Sequence, residues 1–476
     1  MGRWNQNFDR NCEKTGTKPA EGEERRRRNM TVTGNKTTAE EFVPSNTTLV
    51  IGGGVAGMQA ALDLANQEIR VILVESKPTI GGVMAMLDKT FPTLDCSACI
   101  LTPRLSEVSR HPNIELLTYS EVKTVSGEAG DFRVEVTRKA RRVREDKCNG
   151  CGECVAHCPI EVRNDFDQSL ALRKAIYISF PQSTPMVYTI DSENCIKCGL
   201  CTKFCERGAI DLDMQEEEIA LSVGAIIVAT GYQLYDVSEV PRLGYGRYKN
   251  VINALEYERI INASGPTGGN LMRLSDGKVP SSIGFVQCVG ARDVQKGSAS
   301  CSRICCMYGI KNAVMAKELA HEDVEDVAVY YADIRAFGKG FEEFYEMAKT
   351  RFGIRFIRGR VADVEENPEN NNIVVQVEDT ATGRLLEIEH EMLVLCPGIL
   401  PPKSLRELAN HLNMDLGNDG FVQVSNPILT PVDTPVPGVF VCGCAEGPKD
   451  IPDSVAAGSA AAMRASIVLY NEGGTP

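Results

Sequence analysis

The sequence predicts an α/β fold, a parallel doubly wound sheet interrupted by a cysteine-rich insert. Three observations carry that expectation. From Thr48 a short apolar strand runs into the glycine turn Gly52-Gly53-Gly54-Val55-Ala56-Gly57, a helix-period stretch to Asn66 and a second strand, Val71-Ile72-Leu73-Val74. Between about 147 and 213 lies a block with eight closely spaced cysteines, after which Ala225-Ile226-Ile227-Val228-Ala229 resumes the apolar-strand pattern, so the block reads as inserted. Late in the chain, Gly438-Val439-Phe440-Val441-Cys442-Gly443 and a small-residue helix from about Ser454 to Leu469 return to the same pattern and complete the first domain.

The glycine turn fits G-x-G-x-x-G through Gly52, Gly54 and Gly57, directly between a strand and a helix. Glycines there allow a tight turn and close approach of a pyrophosphate, which the helix N terminus then faces. Glu75 ends the next strand at the spacing that suits a grip on the adenosine ribose hydroxyls. Three later features point to FAD rather than NAD: Gly81-Gly82, Ala229-Thr230-Gly231-Tyr232 after a strand, and the returning Val441-Cys442-Gly443. All three are similar to glutathione-reductase-type flavoproteins, so the expected architecture is a Rossmann-type FAD-binding fold of the glutathione/thioredoxin reductase kind. Gly82, Thr230, Gly231, Gly443, Ile451 and Ser454 join the three fingerprint glycines and Glu75 as flavin-binding candidates. Where that pattern usually carries Gly-Asp for the ribityl chain, this sequence has Gly443-Cys444, and Cys444 reads as a small buried residue.

Eighteen cysteines, most in tight groups, serve metal better than disulfides and require a reducing, cytoplasmic setting. Cys148, Cys151, Cys154 and Cys158-Pro159 form a C-x2-C-x2-C-x3-C-P run, repeated by Cys195, Cys198, Cys201 and Cys205 with Glu206 in place of proline. This is the signature of two 4Fe-4S clusters in which the fourth cysteine crosses over. Cys148, Cys151, Cys154 and Cys205 are assigned to one cluster, and Cys195, Cys198, Cys201 and Cys158 to the other. Zinc would need longer separations between pairs, and disulfides between such close cysteines would be strained.

A third group, Cys288, Cys301, Cys305 and Cys306, has no standard ferredoxin spacing; by itself it reads equally as a cluster site or as buried thiols plus a redox pair at a helix start. Cys96-Ser97-Ala98-Cys99 is a C-x-x-C that reads as a redox disulfide or as two ligands of a shared cluster. Cys396 and Cys442 read as core residues, and His111, His157, His321, His390 and His411 show no ligand spacing.

A second α/β lobe is expected from a strand at Ile283-Gly284-Phe285-Val286, a helix from about 303 to 320 and a strand at Val327-Tyr331. Its loop, Val286-Gln287-Cys288-Val289-Gly290-Ala291-Arg292, lacks a glycine fingerprint, which argues against NAD(P)H as direct donor. The resulting domain expectation is a disordered tail over 1–46 holding Cys12 and the run Arg25–Arg28, FAD-binding segments at 47–146, 214–280 and 396–476, the ferredoxin-like insert at 147–213, and the second lobe at 281–395. A net charge of −13 without a basic stripe excludes a nucleic-acid binder, and no stretch of about 18 apolar residues predicts a transmembrane helix.

From Thr48 to the C terminus the sequence resembles the A-subunit family of heterodisulfide reductases. The resemblance rests on Leu87-Asp88-Lys89-Thr90-Phe91-Pro92-Thr93-Leu94-Asp95-Cys96-Ser97-Ala98-Cys99 and the ferredoxin insert. It rests equally on Gln287-Cys288-Val289-Gly290, Cys301-Ser302-Arg303, Cys305-Cys306-Met307-Tyr308 and Cys444-Ala445-Glu446-Gly447-Pro448-Lys449-Asp450. It implies that Cys288, Cys301, Cys305 and Cys306 hold an extra 4Fe-4S cluster near the flavin, and that Lys311 lies close to the flavin N5, against the plainer reading of a solvated helix lysine. It further implies flavin-based electron bifurcation between a donor module such as a hydrogenase or formate dehydrogenase, a high-potential acceptor on neighbouring subunits, and ferredoxin, within a dimeric complex. Rival readings are a non-bifurcating relay in a sulfur-compound or aromatic acyl-CoA reductase complex, an NAD(P)H-linked flavoprotein resembling the small subunit of glutamate synthase, and a redox sensor using Cys96 and Cys99.

Overall fold

The computed structural model describes residues 46–472 except 296, 321 and 322. The tail expected before residue 46, with Cys12, and His321 lie outside the described residues. Strand β1 (Thr47–Ile51), helix α1 (Val55–Ala65), β2 (Arg70–Glu75), α2 (Ser97–Arg110) and β3 (Ile114–Thr118) open the first sheet. An antiparallel hairpin, β4 (Ser120–Glu128) and β5 (Asp131–Arg138), follows.

The insert is small and irregular: α3 (Glu153–Ala156), β6 (Glu161–Arg163), β7 (Leu172–Lys174), β8 (Ile176–Tyr177), β9 (Thr189–Ile190) and α4 (Leu200–Phe204). Gly152 and Gly199 immediately precede its two short helices, both in left-handed backbone that a side chain would disfavour. The two cysteine repeats thus take matching local shapes, with Cys154 and Cys201 both buried in their helices.

β10 (Glu217–Val223) rejoins the hairpin and β11 (Ala225–Val228) enters the first sheet, followed by the two-residue β12 (Gln233–Leu234). The second sheet then draws on β13 (Val251–Asn253), with α5 (Ala254–Ile261) after it, β14 (Ser282–Val289), α6 (Cys305–Ala320), β15 (Asp326–Tyr331), α7 (Phe341–Thr350) and β16 (Arg355–Arg358). A meander β17 (Val361–Glu366), β18 (Ile373–Asp379), β19 (Arg384–His390) covers one of its faces. β20 (Met392–Pro397) completes it, β21 (Ile399–Leu400) pairs with β12, and α8 (Leu405–His411), β22 (Val439–Val441) and α9 (Ile451–Glu472) finish the chain.

The first sheet runs β22-β11-β1-β2-β3, all parallel, and the second β13-β20-β14-β15-β16, also parallel. In the first, Val50, Leu73 and Ile227 point to one apolar core while Leu49, Ile72 and Ile226 point to another. Burial on both faces explains why these strands read as continuous apolar runs. The sequence placed the start of the second lobe near 281, whereas β13 pairs with β20 and α5 packs into that lobe's core. A three-residue strand is too short to show a period, although Asn253 and Glu256 form a capping box at the start of α5.

Candidate functional site

The candidate site grows from the β1–α1 turn. Gly52 has φ of 114°, and a Cβ on it would lie 2.3 Å from the Ala229 carbonyl oxygen; one on Gly57 would lie 1.9 Å from the Gly52 oxygen. The turn therefore needs glycine at both positions. Gly54 precedes α1 with open space on its side-chain face, and no side chain caps the helix N terminus, so its first N–H groups stay available to an anion.

Glu75 Oε2 accepts the Gly53 N–H at 2.8 Å, fixing the loop to β2. Gly82 packs against Gly54, and Gly443 against Ala56 and Ser454 at the start of α9, where Ile451 is the first residue. Thr230 lies against Gly52; its buried hydroxyl has no hydrogen-bond partner, and Gly231 beside it faces open space. The flavin-binding candidates thus surround one cradle. Its uncapped helix end, open glycine faces and orphaned Thr230 hydroxyl fit a dinucleotide.

Cys444 is buried and its thiol donates to the Lys449 carbonyl at 3.4 Å. Burial, with the charges of Cys444 and Glu258, pushes the Tyr232 hydroxyl up. In the second lobe Lys311 forms an ion pair with Glu258; the two side chains are 2% and 3% exposed, so the solvated-lysine reading is corrected. Glu258 also accepts the Asp88 N–H at 3.0 Å, and burial followed by the Glu258 charge raises the Asp88 carboxyl. Next to it, Arg259 pairs with Asp167 of the insert at 3.0 Å and donates to the Met86 carbonyl. Sequence reasoning missed Glu258 and Arg259, because charges inside a helix ordinarily read as its solvated face, and Asp167, because an acid in the turn between β6 and β7 reads as a surface residue.

Cys288 is the last residue but one of β14, Cys305 and Cys306 open α6, and Cys301 lies in the loop between. Cys288, Arg292 and Arg303 take left-handed φ values of 61°, 56° and 58°, an unusual density of strained non-glycine backbone. The Cys306 thiol donates to the Asp333 carbonyl at 3.5 Å. Hydrogen bonding from Cys305, with the charges of Arg292 and Arg360, brings the Cys288 thiol down to about 6.

In the insert, burial and then the charges of Cys148 and Cys151 push the Cys154 thiol up to about 12. Cys201 is raised by burial and by Cys195 and Cys158. One cavity is lined by Cys158, Cys195, Cys198 and Cys201 together, the grouping that crossed ligation requires. Crowded thiolates repel one another, and a polycationic iron core would offset that repulsion. Among the described residues no three Cys, His, Asp or Glu side chains converge on a single ion; in a cubane each thiolate instead takes a separate iron.

Cys96 caps α2 and its sulfur accepts the Cys99 N–H at 3.3 Å, leaving this pair at the surface and unassigned. Cys396 and Cys442 are core residues, as expected. No helix among the described residues is long and apolar enough to cross a membrane.

Residues 48–151 match the FAD dependent oxidoreductase family and residues 147–210 the 4Fe-4S dicluster domain. The A-subunit of the H(2):CoB-CoM heterodisulfide,ferredoxin reductase of Methanothermobacter thermautotrophicus is 52% identical over 421 residues, covering 88% of this chain and 63% of that protein. The A-subunit of the Ferredoxin:CoB-CoM heterodisulfide reductase of Methanosarcina mazei is 45% identical over 427 residues, covering 89% and 53% respectively. The chain thus spans less than two thirds of the length of these relatives. Lactococcus lactis thioredoxin reductase in its FR conformation superposes with a TM-score of 0.50 at 14% identity, over 89% of this chain and 98% of that one, a likeness of fold alone.

Proposed function

On the premise that this chain belongs to the A-subunit family of heterodisulfide reductases, tied to it by 45–52% identity over 88–90% of its length, we propose that it is the flavin- and cluster-bearing electron-transfer component of a heterodisulfide-reductase-like complex. The reading gives FAD to the β1–α1 cradle, two 4Fe-4S clusters to the insert with crossed ligands, and a third to Cys288, Cys301, Cys305 and Cys306. It includes electron bifurcation between a donor module, a high-potential acceptor and ferredoxin, in a dimeric cytoplasmic assembly.

The observation that carries it is the buried Lys311–Glu258 pair, joined to the first lobe where Glu258 accepts the Asp88 N–H at 3.0 Å. Lys311 stands six residues beyond Cys305 on α6, roughly 9 Å along the helix axis, so the third cysteine group and the flavin-side loops lie within one short span. Bound there, FAD would supply two-electron uptake with one-electron delivery. The chain's own contribution is to seal that span from water with the apolar residues around α6, and to fix a cation through Glu258. Gly52, Gly54 and Gly57 would hold the phosphates, and Thr230 would satisfy its hydroxyl on the ligand.

Iron, sulfide and FAD content of the anaerobically purified chain tests the cofactor inventory. About twelve irons per chain, falling to about eight in Cys305→Ala with FAD retained, is the expected result. About eight irons in both would remove the third cluster and favour a simple relay.

A further inference from the structure

Arg303, between Cys301 and Cys305, belongs by its backbone to the third cysteine group and by its side chain to the first lobe. Its φ of 58° is left-handed, and its N–H donates to the Cys301 sulfur at 3.4 Å. Its guanidinium points away from the cysteines: Nη1 donates to the Pro448 carbonyl and Nη2 to Asp453 Oδ2, both at 3.2 Å. Those two acceptors flank the start of α9, whose Ile451 and Ser454 are flavin-cradle candidates and whose buried alanines share the first core with α1. The Phe337 ring centroid lies 5.2 Å from the guanidinium carbon and supports it from a third side. The neighbouring Ser302 is held the other way, its hydroxyl accepting the Ile399 N–H of β21 at 2.9 Å. One loop is thus fixed to the second lobe through Ser302 and to the first through Arg303.

We propose that Arg303 is the positioning residue that sets the gap between the flavin and the cluster held by Cys288, Cys301, Cys305 and Cys306, by clamping the cysteine loop to the start of α9. The inference rests on the third-cluster reading above and deepens it with a residue outside the ligand set. In the electron exchange across that gap the flavin gives up one electron and the cluster takes it up, with no bond made or broken at the cysteines. Tunnelling between carriers falls steeply with their separation, so the rate depends on the contacts that hold their two supports together. Two acceptors on one planar guanidinium fix its direction, which a single bond from a lysine would not. The Arg303 and Asp453 side chains are 40% and 48% exposed, and an ion pair so open to solvent contributes little to folding stability. The clamp therefore acts on the geometry of the two sites rather than on the fold.

The test is flash photoreduction of FAD in the anaerobically purified full chain, with iron, FAD content and unfolding midpoint measured alongside. The phase of electron re-equilibration that Cys305→Ala lacks is the exchange between flavin and third cluster. Arg303→Asn, chosen because asparagine tolerates left-handed backbone, and Asp453→Ala, on the opposite lobe, are each expected to slow that phase several-fold. Both keep about twelve irons, their FAD and the parent's unfolding midpoint. Hydrogen exchange, read on peptides covering 299–306 and 446–454, rises in both. Arg303→Lys recovers part of the rate, and high salt, which screens the exposed pair, slows the phase in the parent but not in Asp453→Ala. Unchanged rates and exchange in Arg303→Asn and Asp453→Ala overturn the inference. So does loss of iron in Arg303→Asn with an unslowed phase in Asp453→Ala, which would make Arg303 a strut of its own loop. A parent holding about eight irons, with no phase that depends on Cys305, would overturn the cluster assignment itself, a failure distinct from that of Arg303.

Discussion

Lys311 and Glu258 are both nearly inaccessible, and each is the other's counter-charge. Removing one partner of such a pair strands the other in a poorly solvating interior, at a cost of about 3–5 kcal/mol. Lys311→Ala is accordingly expected to lower unfolding stability by about 3 kcal/mol in denaturant titrations, with Lys311→Met plus Glu258→Gln recovering most of the loss. FAD stays bound, because the glycine cradle lies on the other lobe, while the spacing of the flavin's two one-electron potentials changes in a redox titration. An unchanged titration would remove Lys311 from the flavin's surroundings. The sequence pointed to Lys311 only through its place after Cys305 and Cys306. Nothing local announced Glu258, which sits on a different helix and meets Lys311 only because α5 and α6 pack in one core. Cys148 to Cys205 were legible for the opposite reason, since cluster ligands at short fixed spacing write their geometry into the chain.

At the level of elements, the buried parallel strands were readable as apolar runs and β13 was too short to show any period, while the meander β17–β19, half-buried against the second sheet, carries only the weaker alternating pattern among many charged residues. The meander brings His390 of β19 under β14, where a Cβ on Gly284 would lie 2.8 Å from the imidazole. His390 Nε2 and the Tyr330 hydroxyl are 2.7 Å apart, and Nδ1 has no partner. Burial holds His390 down from 6.5 to about 4. A depressed folded-state value means that the unfolded chain binds the proton first as pH falls. Stability is therefore whole above about pH 6.5 and is lost progressively down to about pH 4, by about 3 kcal/mol from this residue. Urea midpoints compared across that window in the parent and in His390→Gln should show a steeper acid-side fall in the parent. Equal slopes would mean that the imidazole does not carry the effect.

For the molecule as a whole, the insert matters as much as the two sheets. Arg259 reaches from α5 to Asp167 in the insert and to the Met86 carbonyl in the first lobe, so a single buried guanidinium ties all three parts together. The insert leaves the small antiparallel sheet after β5 and returns through β10, which pairs with β5, so the order of the first sheet is untouched and the insert's cysteines are carried as a compact attachment close to the flavin lobe. On the proposed reading, α6 carries two cysteines of the third group at its start and Lys311 six residues further on, packed against the second sheet.

The central claim is that one chain carries a flavin and three one-electron clusters. Its most direct test is an anaerobic reductive titration of the purified chain, counting electrons taken up per FAD. About five electrons, two for the flavin and one for each cluster, is the predicted capacity, dropping to about four in Cys305→Ala. A capacity of about four in both proteins would contradict it, leaving the insert's pair as the only clusters and the cysteines around α6 as plain thiols.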